Sequence, residues 1–170
     1  MRRVWYSVAM SLDGFIAGPN GEYDWIPDED AIDWSAFLGR FDTVLMGRRS
    51  WQLARANGHV PDMRVYVFSR TLRAEDYPDI TLVSEHAAEF VATLRSSPGK
   101  DIWLFGGGEL FRELLQAGQV DRLELAVAPA LLGSGLPVLP GFDGVAKLRL
   151  IESRPYPSGI VMLTYEVPSA

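Results

Sequence analysis

Short runs of β-branched and aromatic residues alternate along this chain with segments whose apolar positions recur every three or four residues. Residues 4–10, 43–46, 64–68, 80–83 and 101–105 are brief and mostly apolar. That is the composition of strands covered on both faces of a largely parallel sheet. Leu123, Leu125 and Val127 alternate with polar residues or alanine, and 160–167 is a long late run. These two predict a more exposed, antiparallel final portion. Pro155, Tyr156, Pro157, Ser158 and Gly159 supply the fixed and left-handed dihedrals of a turn joining the last two strands.

Trp34, Phe37, Leu38 and Phe41 fall at i, i+3, i+4 and i+7, as do Ala87, Phe90, Val91 and Leu94. Each set predicts one helix with a core-facing stripe. Residues 109–117 form a third predicted helix, with Leu110, Phe111, Leu114 and Leu115 inward and Gly118 at its C-terminal cap. Residues 49–56 form a fourth. Strands interleaved with helices argue for an α/β layered domain. The 170 residues, without repeat, low-complexity tract or linker, fit one domain over 1–170.

Composition narrows the chemistry. Sixteen Lys and Arg against twenty-two Asp and Glu leave a net charge of −6, which disfavours a nucleic-acid partner. The absence of cysteine removes disulfides, thiol nucleophiles, iron–sulfur clusters and the zinc site of a nucleobase deaminase. His59 and His86 lack metal-ligand spacing, so no metal is expected. Ser7 and Asp13 interrupt the N-terminal apolar run, and no stretch approaches the roughly 20 apolar residues of a membrane span. A cytoplasmic protein with no membrane partner is expected.

Three junctions carry the candidate chemistry. The apolar run Trp103-Leu104-Phe105 enters Gly106, Gly107 and Gly108 and then directly a helix beginning Glu109-Leu110. Glycines allow close backbone approach, and the free N–H groups at a helix start favour phosphate. Neither the Rossmann fingerprint nor a P-loop matches, since Phe111 stands at the last glycine position and no Gly-Lys-Ser/Thr follows. At the second junction Gly47 precedes Arg48, Arg49 and Ser50, and cations at a helix start point to a bound anion. At the third a strand ends in Ser69 and Arg70, a hydroxyl and a planar guanidinium suited to a phosphate monoester or an adenine face. Strand ends of an open α/β sheet converge on its ligand crevice, so the three together predict one extended, multiply phosphorylated ligand.

The segments Ala9-Met10-Ser11-Leu12-Asp13-Gly14-Phe15-Ile16-Ala17, Met46-Gly47-Arg48-Arg49-Ser50-Trp51, Ser69-Arg70, Gly106-Gly107-Gly108-Glu109-Leu110 and Pro129-Ala130-Leu131-Leu132-Gly133-Ser134-Gly135-Leu136-Pro137 are informative together. In order and spacing they resemble the dihydrofolate reductase-like superfamily, in particular the branch containing the reductase domain of riboflavin biosynthesis. The resemblance implies a three-layer α/β sandwich, its central mostly parallel sheet flanked by helices on both faces and closed by an antiparallel C-terminal hairpin. It implies NADPH as cofactor, with Gly106 to Leu110 on the pyrophosphate and Gly47 to Ser50 lining the phosphate groove. Ser69 and Arg70 would then lie near the adenosine 2′-phosphate, Ala9 and Ile16 beside the nicotinamide, and residues 13–25 would form a mobile lid.

Dihydrofolate reductases hold their substrate with an acid at the start of the helix before the Met-Gly-Arg segment. Counting back from Gly47 lands here on Ala31, among Asp28, Glu29, Asp30 and Asp33. Asp30 and Asp33 are the candidates for that catalytic role, although acids at a helix start also answer the helix dipole. The expected function is hydride transfer from NADPH to a small pteridine, pyrimidine or flavin-precursor-like molecule. The alternative is a non-catalytic nucleotide-binding module using the same crevice. The apolar segment 131–139, together with the habit of riboflavin-type relatives, suggests a homodimer.

Overall fold

The computed structural model describes residues 1–168. An eight-stranded sheet runs in the order β5 (Thr81–Val83), β4 (Arg64–Phe68), β3 (Phe41–Gly47), β6 (Asp101–Gly106), β1 (Val4–Ser11), β7 (Arg122–Ala128), β10 (Val161–Glu166) and β9 (Arg149–Pro155). The first six are mutually parallel, and β10 and β9 complete the sheet as an antiparallel hairpin. A second, two-stranded ladder pairs β2 (Phe15–Ala17) with β8 (Leu136–Pro137).

Alternation along β1 explains the layers. Val4 and Tyr6 join the core under α3 (Ala87–Ser96) and α4 (Gly108–Gln116), whereas Trp5 joins the cluster under α1 (Trp34–Gly39) and α2 (Arg48–Ala56). Leu110, Phe111 and Leu114 of α4 are buried, and the Phe111 ring stacks on Tyr6 at 3.9 Å between centroids. Gly118 has φ +66° and ends α4, as its position after the apolar stripe predicts. The result is the three-layer α/β sandwich with an antiparallel C-terminal hairpin. No helix among the described residues is long and apolar enough to cross a membrane.

Three expectations require correction. Leu123, Leu125 and Val127, expected in the exposed antiparallel portion, belong to β7, which runs parallel to β1, is largely buried and is antiparallel only to β10. The helix predicted through Phe41 ends at Gly39, and Phe41 is instead the first residue of β3. Only Phe37 of that stripe is half-buried on the helix, while Trp34 and Leu38 are exposed. The short helix turns directly into the sheet at Arg40, so Phe41 reaches the core from a strand. The third correction is β9, seven residues exposed throughout, whose Arg-Leu-Ile-Glu-Ser-Arg-Pro sequence lacks one-sided alternation because it forms an edge with no covering layer.

Tyr6 is fully buried with its hydroxyl unpaired, and burial pushes its pKa up. An unsatisfied buried hydroxyl costs about 1–3 kcal/mol. Tyr6→Phe keeps the stack and removes that cost, so it is expected to stabilise the fold by about 1 kcal/mol in denaturant unfolding. A loss of stability would show that the hydroxyl has a partner in solution.

Candidate active site

The three junctions meet at the C-terminal ends of the neighbouring strands β6, β3 and β4. Gly106 and Gly107, joined by a cis peptide, face α2, where a Cβ on either would lie 3.3 Å from Ser50 Oγ. A Cβ on Gly47 would meet Gly107 N at 3.6 Å, so the β3 and β6 turns form one continuous wall. Gly108 is buried on the far side of the turn, where a Cβ would lie 2.7 Å from Pro137 O and 2.5 Å from Pro140 Cδ. Its role is to let the start of α4 close on the 137–140 segment. Glu109 is exposed, and the Leu110 side chain lies in the core, which leaves only its backbone for the turn.

The second and third junctions are bonded to each other. Arg48 Nη1 donates to Thr71 Oγ1 at 2.7 Å, while Ser69 Oγ accepts from the backbone N–H groups of Thr71 and Leu72 at 3.2 and 3.1 Å. Thr71 escaped the sequence reading, although a hydroxyl two residues beyond Ser69 was available as a signal. Arg49 and Arg70 are exposed and form no ion pair among the described residues. Two guanidinium groups therefore stand unneutralised beside a glycine wall and the start of a nine-residue helix, a setting made for phosphates.

Ala9 is half-buried on β1, on the same side as Trp5, and Ile16 is half-buried on β2. The base of the 13–25 loop is pinned. Asp13 accepts from Ser11 Oγ at 2.6 Å, from Leu132 N at 3.1 Å and from Gly133 N at 2.7 Å. Val138 N donates to Gly14 O, and a Cβ on Gly135 would lie 2.2 Å from Ala17 O. The 13–25 loop thus shares its anchor with the segment that packs on Gly108.

The helix-start acids are separated by the structure. Glu29 accepts from Ser158 N at 2.9 Å and Ala31 N at 3.0 Å, which ties this loop to the β9–β10 turn; the Ser158 side chain first, and then these two backbone groups, hold its carboxyl below the usual range. Asp30 is exposed. Asp33 caps α1 through Ala36 N at 2.9 Å, and it lines a groove of about 270 Å³ between α1 and the β7–β10–β9 face. Arg40 and Glu124, a bidentate pair at 2.9 and 2.7 Å, line the same groove and had no signal in the sequence, being 84 positions apart.

The RibD C-terminal domain family model matches residues 2–162. The chain belongs to this family. It is 34% identical to the uncharacterised protein YyaP of Bacillus subtilis over 96% of this chain and 94% of that one. Among solved structures, a Shewanella sp. PV-4 protein named as a candidate riboflavin biosynthesis protein superposes with TM-score 0.84 at 24% identity, covering 99% of both chains. Enterococcus faecalis dihydrofolate reductase, complexed with NADP(H) and RAB-propyl, gives TM-score 0.70 at 16% identity over 96% of this chain and 95% of that one. These likenesses establish a dihydrofolate reductase-like fold in a reductase-domain family.

The Asp13 anchor is testable by pH. Its hydrogen bonds, first that from Ser11 and then those from Gly133 and Leu132, lower its pKa to about 2 from the ordinary 3.8. A carboxylate depressed in the folded state contributes its full stabilisation above 3.8 and loses it as pH falls through about 2. The amide resonances of Leu132 and Gly133 are expected to titrate with a midpoint near 2. A midpoint at the ordinary aspartate value would show that the anchor is not formed.

Proposed function

We propose that this chain is an NADPH-dependent reductase that delivers hydride to a small heterocycle of the pteridine, pyrimidine or flavin-precursor type. The observation that carries this is the joining of three phosphate-suited strand ends into one wall, with Arg48 bonded to Thr71 and with Arg49 and Arg70 exposed beside it. The residues fit a dinucleotide. Gly106, Gly107 and the α4 N-terminus offer a surface without side chains for a pyrophosphate, flanked by Gly47 and Ser50. Ser69 and Arg70 lie where an adenosine 2′-phosphate would be read, and the end of β4 carries no acid to bond a ribose hydroxyl instead.

When bound, the nicotinamide supplies the hydride. The chain's own contribution is positioning and exclusion of water. Ala9 and Ile16 would flank the reacting ring, and the lid anchored through Asp13 would close over it. Asp33, rather than Asp30, lines the groove proposed to take the substrate. One of its oxygens caps α1, and the other is available to accept from an N–H group of the substrate.

We also propose a homodimer. The edge strand β9 is exposed along its whole length, with Leu150 and Ile151 about half accessible, and Leu131 is 73% exposed. Long apolar edges invite pairing with a second chain.

Titration of intrinsic tryptophan fluorescence with NADPH and NADH tests the cofactor. Arg70→Ala is expected to weaken NADPH by about 10-fold or more, the worth of one charge-assisted bond, while leaving NADH nearly unchanged. Equal losses for both would remove the 2′-phosphate assignment, and no response to either would remove the reductase reading. Tight NADPH binding without turnover of any pteridine, pyrimidine or flavin would favour the non-catalytic module. Light scattering at micromolar concentration is expected to return twice the chain mass, and the mass of one chain would refute the dimer.

A further inference from the structure

The strand β9 ends the eight-stranded sheet, and all seven of its residues are exposed. Its outer edge carries free backbone groups. Tyr156 N donates to Ile160 O at 2.8 Å, and in the same ladder Arg154 lies opposite Met162 and Glu152 opposite Thr164. The bonding direction of the backbone alternates along a strand, so Arg154 and Glu152 also turn theirs to β10 and Ser153 turns its N–H and carbonyl outward. Pro155, next in the outward series, has no N–H to leave unpaired. Such an edge is open to a further strand.

The side chains restrict which strand can join. Glu152 and Arg154 stand on the face that, with Met162 and Thr164, lines the groove of about 270 Å³ beneath α1. Neither forms an ion pair among the described residues, and the Arg154 guanidinium rests over the Tyr156 ring at 5.0 Å. A second β9 added antiparallel, about a twofold axis normal to the sheet, keeps that face continuous when residues of the same side lie opposite each other. An axis through Glu152 or through Arg154 would set two like charges directly opposite, which is destabilising. An axis through Ser153 sets Glu152 opposite the partner's Arg154 and Arg154 opposite the partner's Glu152. The two Ser153 residues then exchange N–H···O bonds, and Ile151, 49% exposed, meets the partner's Pro155.

We propose that a second copy of this chain pairs with β9 about an axis through Ser153, and that the partner's Arg154 thereby completes the outer wall of the groove. The inference rests on the homodimer proposed above and adds its register. In one chain alone the β9 wall is open to water along its whole length. In the pair the Glu152 carboxylate is met across the axis at a Cβ separation of about 5 Å, and the two grooves lie side by side on one continuous sheet. A small-molecule site buries most of its ligand, and this wall supplies the missing side.

Sedimentation equilibrium of the full chain tests the register by charge reversal. Glu152→Arg and Arg154→Glu each set like charges opposite, and each is expected to weaken self-association by about 10-fold or more. Mixing the two variants in equal amounts restores opposite charges at both positions, so the mixture is expected to associate within about threefold of wild type. Circular dichroism shows which variants fold. Should a reversal variant fail to fold, Ser153→Cys supplies the sole thiol of a cysteine-free chain, at the axis itself. A short bismaleimide is expected to join two such chains, and to leave Ser96→Cys, at the end of α3, unjoined. A wild type of one-chain mass would overturn the dimer and its register together. A two-chain wild type would leave the dimer standing while the register falls, if folded reversal variants associate as tightly as wild type, if their mixture stays monomeric, or if Ser153→Cys is not joined.

Discussion

The turn from β6 into α4 is tightest at Gly108, where a side chain would run into the backbone of the 137–140 segment. Gly108 lies against the backbone of Pro137, Gly106 and Gly107 against Ser50, and Gly47 against Gly107. Backbone contacts this close fix the start of α4 between the first turn of α2 and the 137–140 segment. Much else follows from that placement. Pro137 belongs to β8, which pairs with β2 at the base of the 13–25 loop, and Asp13 reaches from the same base to Leu132 and Gly133. The glycine wall and the Asp13 anchor are therefore mechanically joined through the 132–140 segment. A larger residue at Gly108 would disturb both at once.

The two ends of the sheet handle charge in opposite ways. At the N-terminal ends of β1 and β3, Arg2 is buried against Asp42 and Thr43, and Arg95 bonds Asp121. Cations there are consumed internally, and their use is to fix which strands lie side by side. At the C-terminal ends Arg49 and Arg70 remain exposed and form no ion pair among the described residues. A net charge of −6 describes the whole surface and still speaks against nucleic acid. It does not describe this end of the sheet, where local charge and backbone donors suit one small phosphorylated ligand.

What could be read from the sequence follows the range of the interactions. The parallel strands other than β7 and three of the four helices were legible because hydrophobic period is local. The phosphate wall was legible because each of its parts is a strand-to-helix junction only a few residues long. The remaining helix, α1, was misjudged at Phe41 because an i+7 match cannot distinguish a further helical turn from a strand that re-enters the core one residue after a reversal. The edge strand β9 was invisible as a strand because nothing covers it and so nothing imposes a period. Thr71 sits within reach of a local reading, but its partner Arg48 is 23 positions away and only the adjacency of β3 and β4 joins them.

The same distinction separates cofactor from substrate. A dinucleotide is met mainly by backbone at strand ends, which leaves a mark in the sequence as glycines and flanking cations. A small heterocycle is met by side chains standing on different strands, and these converge only through register. Glu124 reads as one polar residue within an alternating strand, and Arg40 as the end of a short helix; nothing local links them. Their bidentate pair exists because β7 lies next to β1 and because α1 ends where its last turn overhangs that face. Chains with the same glycine wall can therefore share a cofactor yet differ in substrate through a few positions on β7, β10 and α1. Those positions, rather than the wall, are where differences in substrate choice within this fold should be sought.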